Sequence, residues 1–149
     1  ACLVGSEMCI RDRGAADCIE VEAALHRDWL GGHPFVAASP VTQAYTDFLV
    51  ATTHTRDYVI GAAAVLPCYW LYAEVGLRLA AHNHPEHPYH AWLSMYSGEE
   101  FLASTRKAIA LVEQALELAD ATVRDEALDA YVTASRYEVD FFDQAARRW

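Results

Sequence analysis

The apolar positions of the chain fall into helical periods separated by turn signals, and no stretch alternates in the two-residue rhythm of a strand. Over Asp17–Leu30, the residues Ile19, Ala23, Leu25, His26 and Trp29 recur at helical spacing before Gly31, Gly32 and Pro34 end the run. Ser39 and Pro40 then supply an N-cap followed by proline at the first helical position, with Val41, Tyr45, Phe48, Leu49 and Thr52 on one face. Thr55-Arg56-Asp57 marks the next junction. A long apolar segment follows from Tyr58 to Ala81, and Pro67 inside it removes one backbone donor and is expected to kink it near Ala63. Asn83 and Pro85 stop it.

Pro88–Tyr96 reads as a short helix with Tyr89, Trp92 and Tyr96 on one side. Ser97-Gly-Glu-Glu100 has the S-x-x-E form of a capping box, opening a helix faced by Phe101, Thr105, Ile109, Val112 and Leu116. After an interruption at Asp120–Thr122, a last helix over Val123–Arg147 carries the stripe Ala127, Tyr131, Ala134, Glu138, Phe141, Phe142 and Ala145. The pattern predicts an all-α antiparallel helical bundle with mostly short loops.

Composition narrows the function classes. The chain has 149 residues, 54% of them hydrophobic, which fits one folded domain and excludes intrinsic disorder. Its 21 acidic residues outnumber 11 basic ones, for a net charge of −10, and Lys107 is the only lysine. Without a basic stripe to neutralise phosphates, a nucleic-acid partner is not expected. The acidic balance also disfavours anionic lipid, and the uncharged run Tyr58–Ala73 is shorter than a membrane span, so a cytoplasmic protein is expected. Cys2, Cys9, Cys18 and Cys68 have no zinc-type spacing and read as cytosolic thiols. Residues 1–13 have no structural period and no signal-peptide pattern, and they resemble a translated sequencing adapter. They are expected to be non-native.

Two positions break the pattern chemically. Glu138 lies on a stripe that should be buried, so it is paired, rotated into solvent, or poised for proton transfer with a raised pKa. Cys68 directly follows Pro67, where a bent helix opens space beside the thiol, and Tyr72 lies one turn on. It is either a small buried hydrophobe or a nucleophile. Glu74 and Arg78 read as an ordinary i,i+4 pair. Four histidines, His82, His84, His87 and His90, could suggest a divalent metal, but a proline-broken loop does not fix ligand geometry, and neither a metal nor another cofactor is expected. Tyr45, Tyr72, Tyr96 and Tyr137 are either bundle core or the wall of a hydrogen-bonding pocket.

Five blocks in order resemble the TenA family, also called thiaminase II: Ser39–Leu49, Leu66-Pro-Cys-Tyr-Trp-Leu-Tyr-Ala-Glu-Val-Gly76, Pro88–Trp92 leading to Met95-Tyr96, Glu99-Glu-Phe101, and Ser135–Phe142. The resemblance covers about Ile19 to Trp149 and implies the haem-oxygenase-like bundle, usually a homotetramer. It implies Cys68 as nucleophile, Glu138 as acid/base, and Tyr45, Tyr72, Tyr96 and Phe141 as substrate-binding groups around a pyrimidine. The implied reaction is hydrolysis of 4-amino-5-aminomethyl-2-methylpyrimidine to its hydroxymethyl form in thiamin salvage. The family's N-terminal portion, with an aspartate that holds the pyrimidine amine, has no match here. Residues 14–149 are therefore expected to be the C-terminal two-thirds of one helical domain lacking its N-terminal helices. The alternative is a non-catalytic ligand-binding or regulatory bundle of the same fold, with Cys68 and Glu138 inert in its core.

Overall fold

Why the chain turns where it does is visible in the computed structural model, which describes residues 37–147 together with Glu20, Ala23, Ala24 and Arg27. Those four are helical, while the rest of the helix expected over Asp17–Leu30, the segment 1–13 and the division after residue 13 lie outside the described residues. The chain forms two units, residues 1–36 and 37–149. The second contains six α-helices: α1 (Pro40–Thr55), α2 (Tyr58–Val65), α3 (Pro67–Leu79) with a 3-10 turn at Ala80–His82, α4 (His90–Tyr96), α5 (Glu99–Leu118) and α6 (Ala121–Arg147). There is no strand among the described residues, and the expected all-α bundle is what forms.

The start of α1 follows its sequence signal: the Ser39 hydroxyl accepts from the Thr42 N–H at 3.1 Å, with Pro40 in the first turn. The capping box expected at Ser97 does not form. Ser97 is already the C-cap of α4 in a helical conformation, and its hydroxyl donates back to the Leu93 carbonyl at 2.7 Å. Gly98 becomes the N-cap of α5, and Glu99 and Glu100 favour that helix end by charge instead. Asp120 caps α6 by accepting from the Val123 N–H at 3.0 Å, so this helix begins two residues earlier than the pattern suggests.

Pro67 interrupts the apolar segment at Leu66 rather than kinking it near Ala63. Leu66 keeps helical angles and its N–H still donates to the Ala62 carbonyl, so the ladder runs intact to the residue before the proline. Upstream, α2 is apolar all round and has no face suited to water. It is accordingly packed against α1, α5 and α6, where Val59, Ile60, Ala63 and Ala64 join Leu66, Val112, Ala127 and Ala130 in one core. By length and composition the 25 residues Tyr58–His82 could cross a membrane, contrary to the shorter count from the uncharged run alone, because the helix continues through Glu74 and Arg78. Half of its most apolar window is buried in protein, as in a core helix. Among the described residues, ion pairs join Arg56 to Glu126, Arg106 to Glu99 and Arg147 to Asp143. The expected Glu74–Arg78 pair is absent.

Two contacts between helices set the site. Along α1 and α6, Ser39 and Thr42 meet Gln144, Tyr45 meets Glu138, and Arg56 meets Glu126, so the helices run antiparallel in a fixed register. At the other contact α3 presses on the end of α4. A Cβ on Gly76 would stand 2.6 Å from the Tyr96 carbonyl carbon and 2.7 Å from its oxygen. In an open helix Gly→Ala gains about 1 kcal/mol, whereas overpacking typically costs about 1–3 kcal/mol. Here the obstruction is backbone that cannot swing aside, so the second effect wins. Gly76→Ala is expected to lower the melting temperature by several degrees, and an unchanged or raised value in thermal denaturation would refute the close approach.

Candidate active site

Three helices deliver three polar groups to one point. Tyr45 comes from the second turn of α1, Cys68 is the second residue of α3, and Glu138 lies in the middle of α6. The Tyr45 hydroxyl donates to Glu138 Oε1 at 2.7 Å and lies 3.1 Å from Cys68 Sγ. A phenol has a single proton. With the carboxylate ionised that proton goes to Glu138, which leaves the oxygen lone pair to accept from the thiol. The directed chain is therefore Cys68 S–H to Tyr45 O–H to Glu138.

Burial governs the acidities of all three groups. Glu138 is 2% exposed and Tyr45 7%. Desolvation raises the Glu138 pKa above the ordinary carboxyl range, opposed by the Tyr45 hydroxyl first and then by the Cys68 thiol and the Tyr72 hydroxyl. Burial likewise raises Tyr45, assisted by the neighbouring Cys68 and Glu138. The Cys68 thiol is pushed up to about 12, mainly by burial. A position in the first turn of a helix ordinarily favours thiolate, yet here desolvation outweighs it and the resting group is a neutral thiol. The second carboxylate oxygen, Glu138 Oε2, is buried without a hydrogen-bond partner. Such an atom costs stability unless something else accepts the role of partner.

Aromatic rings enclose this polar chain. Tyr72 lies with its ring 5.0 Å from Tyr96, 5.4 Å from Phe142 and 6.1 Å from Trp92, and Tyr96 packs edge-on to Phe101 at 4.8 Å. Tyr137 stacks on Tyr45 at 5.5 Å and touches Phe48, fixing the phenol from behind. Of the six residues singled out in the sequence, Tyr45, Cys68 and Glu138 meet directly, and Tyr72 approaches the carboxylate. Tyr96 joins them through Tyr72. Phe141 is more distant in contact terms, since its ring pairs with that of Phe142 at 6.0 Å. Tyr137, read from the sequence as core or pocket wall, supports Tyr45, whereas Trp92 and Phe142 were read only as faces of their helices and not as parts of the site. The spacing of Trp92 to Tyr96 and of Glu138 to Phe142, four residues in each case, was the available signal.

The histidine-rich turn forms local contacts. His90 Nδ1 lies 2.8 Å from Asn83 Oδ1, and the Tyr89 N–H donates to His87 Nδ1 at 3.0 Å. Among the described residues no group of three or more His, Cys, Asp or Glu side chains is arranged to hold a metal. A groove lined by Phe48, Thr52, Arg56, Ile60, Glu126 and Asp129 lies between α1, α2 and α6, and none of the six expected site residues lines it.

Comparison with known proteins finds relatives named for thiamine biosynthesis and for aminopyrimidine hydrolysis. The family described as TENA/THI-4/PQQC matches residues 33–148. The chain is 59% identical over 135 residues to the thiamine biosynthesis multifunctional protein ThiED of Corynebacterium glutamicum, covering 91% of this chain and 18% of that protein. It is 31% identical over 137 residues to the aminopyrimidine aminohydrolase of Bacillus subtilis, covering 87% of this chain and 58% of that one. Among solved structures, a TenA homologue from P. horikoshii OT3 superposes with a TM-score of 0.66 at 25% identity, over 75% of this chain and 52% of the other. The shared architecture is the helical haem-oxygenase-like bundle. The chain thus spans between about a fifth and somewhat over half the length of these relatives.

Proposed function

The chain belongs to the TENA/THI-4/PQQC family, and from that premise we propose that the protein carrying it hydrolyses an aminopyrimidine in thiamin salvage, with 4-amino-5-aminomethyl-2-methylpyrimidine and water giving the hydroxymethyl compound and ammonia. The observation that carries this reading is the Tyr45 hydroxyl joining one thiol to one carboxylate in a buried, aromatic-walled place. Cys68 is the nucleophile. Its sulfur adds to the electron-poor pyrimidine ring as its proton passes to the Tyr45 oxygen and the Tyr45 proton passes to Glu138, so that no free thiolate or phenolate need accumulate. Glu138, now neutral, gives its proton to the amine leaving the exocyclic methylene. Water then adds at that methylene and the carboxylate takes up a proton from it. As the aromatic system is restored, the sulfur leaves the ring and regains that proton from Glu138 through Tyr45, returning the thiol and the carboxylate to their starting states.

Each acidity supports this sequence. A thiol held near 12 and a phenol raised further are poor acids alone, while a carboxyl raised by burial is a ready proton store. Tyr72, Tyr96 and Phe141 are the flat surfaces of the substrate pocket, and the unpartnered Glu138 Oε2 offers an acceptor to the leaving nitrogen. The reading needs no metal and no organic cofactor, because the thiol supplies the covalent step. It also includes a cytoplasmic homotetramer with no nucleic-acid or membrane partner. Leu128, Val132 and Val139, exposed along one face of α6, are the kind of apolar surface an assembly covers.

Tyr45→Phe tests it. Ammonia release from the aminomethylpyrimidine is expected in the parent protein, with a loss of about 10²-fold or more in turnover in the variant, the usual scale for removing a proton-transfer group. Absence of turnover in the parent would favour the non-catalytic bundle. Full turnover in the variant would take Tyr45 out of the proton path.

A further inference from the structure

We infer that Gln144 is a positioning residue for the contact between Tyr45 and Glu138, acting from the last turns of α6 on Ser39 and Thr42 at the start of α1. The inference rests on the hydrolase reading above. Both ends of the Gln144 amide are engaged: Oε1 accepts from the Ser39 hydroxyl, and Nε2 donates to Thr42 Oγ1 at 3.3 Å. Ser39 simultaneously caps α1 through the Thr42 N–H. The clip therefore joins α6 to the rigid first turn of the helix that carries Tyr45 three residues further on.

The need for such a clip follows from helix geometry. One residue of slip along a helix is a shift of about 1.5 Å, and a hydrogen bond of 2.7 Å is lost well within that displacement. The other contacts described between α1 and α6 do not resist sliding well. The Arg56–Glu126 pair at the far end is solvent-exposed, and such pairs contribute little. The rings of Tyr137, Tyr45 and Phe48 pack with broad angular tolerance. Glu138 adds no second tether, since its Oε2 has no partner. Directional bonding near the site outside the reacting groups thus comes from Gln144.

Gln144→Leu and Gln144→Glu separate positioning from mere stability. Leucine loses both bonds, whereas a carboxylate can accept from both the Ser39 and the Thr42 hydroxyls, which already lie within reach of Oε1. The groups facing the reacting pair are Tyr45 from α1, Cys68 and Tyr72 from α3, and Glu138 from α6. Hydrolysis of the aminomethylpyrimidine is measured beside the pH dependence of Cys68 alkylation by iodoacetamide, read on its own peptide by mass spectrometry to separate it from Cys2, Cys9 and Cys18. For Gln144→Leu the expected result is a fall in kcat of about 10-fold with KM within about twofold, since small misplacements at a reacting centre cost rate more than binding. The alkylation midpoint is expected to move upward, because the Tyr45 hydroxyl, which turns its proton to the sulfur once the thiol ionises and so favours the thiolate, is displaced. Gln144→Glu should restore both.

If the parent protein shows no hydrolysis, the functional reading fails, and the alkylation profile still tests the positioning. A Gln144→Leu protein with parental kcat and parental alkylation, whatever its melting temperature, overturns the inference, as does a Gln144→Glu protein as impaired as the leucine variant. Should the leucine variant fail to fold, Thr42→Val removes one bond of the clip while keeping the Ser39 cap, and a flat response there overturns the inference equally.

Discussion

Replacing Cys68 with serine is expected to abolish nearly all aminopyrimidine hydrolysis in the protein that carries this chain while leaving its fold intact. The substitution changes one atom at a half-buried position, so packing around Pro67 and Tyr72 is little disturbed. Nucleophilicity changes far more. A thiol can be activated by a modest acceptor because sulfur is intrinsically reactive, but an alcohol needs a strong adjacent base. The base within reach of position 68 is a carboxyl whose own proton affinity is set by burial, joined to it through the Tyr45 phenol. That relay can serve a thiol, but it falls short for an alcohol, a much weaker acid and nucleophile in the same place. Circular dichroism should overlay with the parent, and turnover should be below about a tenth of it by a wide margin. Retention of more than that would remove Cys68 from the mechanism.

How much of this was legible in the sequence depended on whether the determining contact was local. The start of α1 could be read because Ser39 and Pro40 act within one turn. Glu138 stood out because a carboxylate on an apolar helical stripe violates the solvation rule that shapes every other position of that stripe, and it is buried as the period required. The S-x-x-E motif at Ser97 misled for the converse reason. A local pattern was present, but α4 runs up to that serine and takes its hydroxyl for its own last turn. Spacing also pointed Cys68 towards Tyr72 on the same helix, whereas its partner in the structure is Tyr45, 23 residues earlier on another helix. No periodicity encodes such a pairing. From the residues alone Tyr45 was one of four tyrosines open to a core or a pocket reading, and the family resemblance assigned it to the site. Gln144 had no signal at all, because a glutamine in the last turns of a helix is ordinary until the end of α1 is placed beside it.

Glu138→Gln is expected to lower turnover by roughly 10²–10⁴-fold, the range for losing a general acid–base group. The amide keeps the shape of the side chain and an oxygen that can still accept from Tyr45, so the site stays assembled. It can neither store the thiol's proton nor deliver one to the leaving amine. Stability should move the other way, with a sign fixed by linkage. Burial raises the folded-state pKa of Glu138 above its unfolded value of about 4.3. Between those two values the folded protein binds more protons than the unfolded chain, so stability falls as pH rises through that window and the cost of the buried charge is complete above it. Glutamine does not titrate. The variant should therefore melt at or above the parent's temperature at high pH, and its advantage should shrink as the pH drops towards the unfolded carboxyl value. Melting curves across that range, paired with turnover, decide the matter. A variant with parental turnover and a large loss of melting temperature would make Glu138 a structural partner of Tyr45 and nothing more.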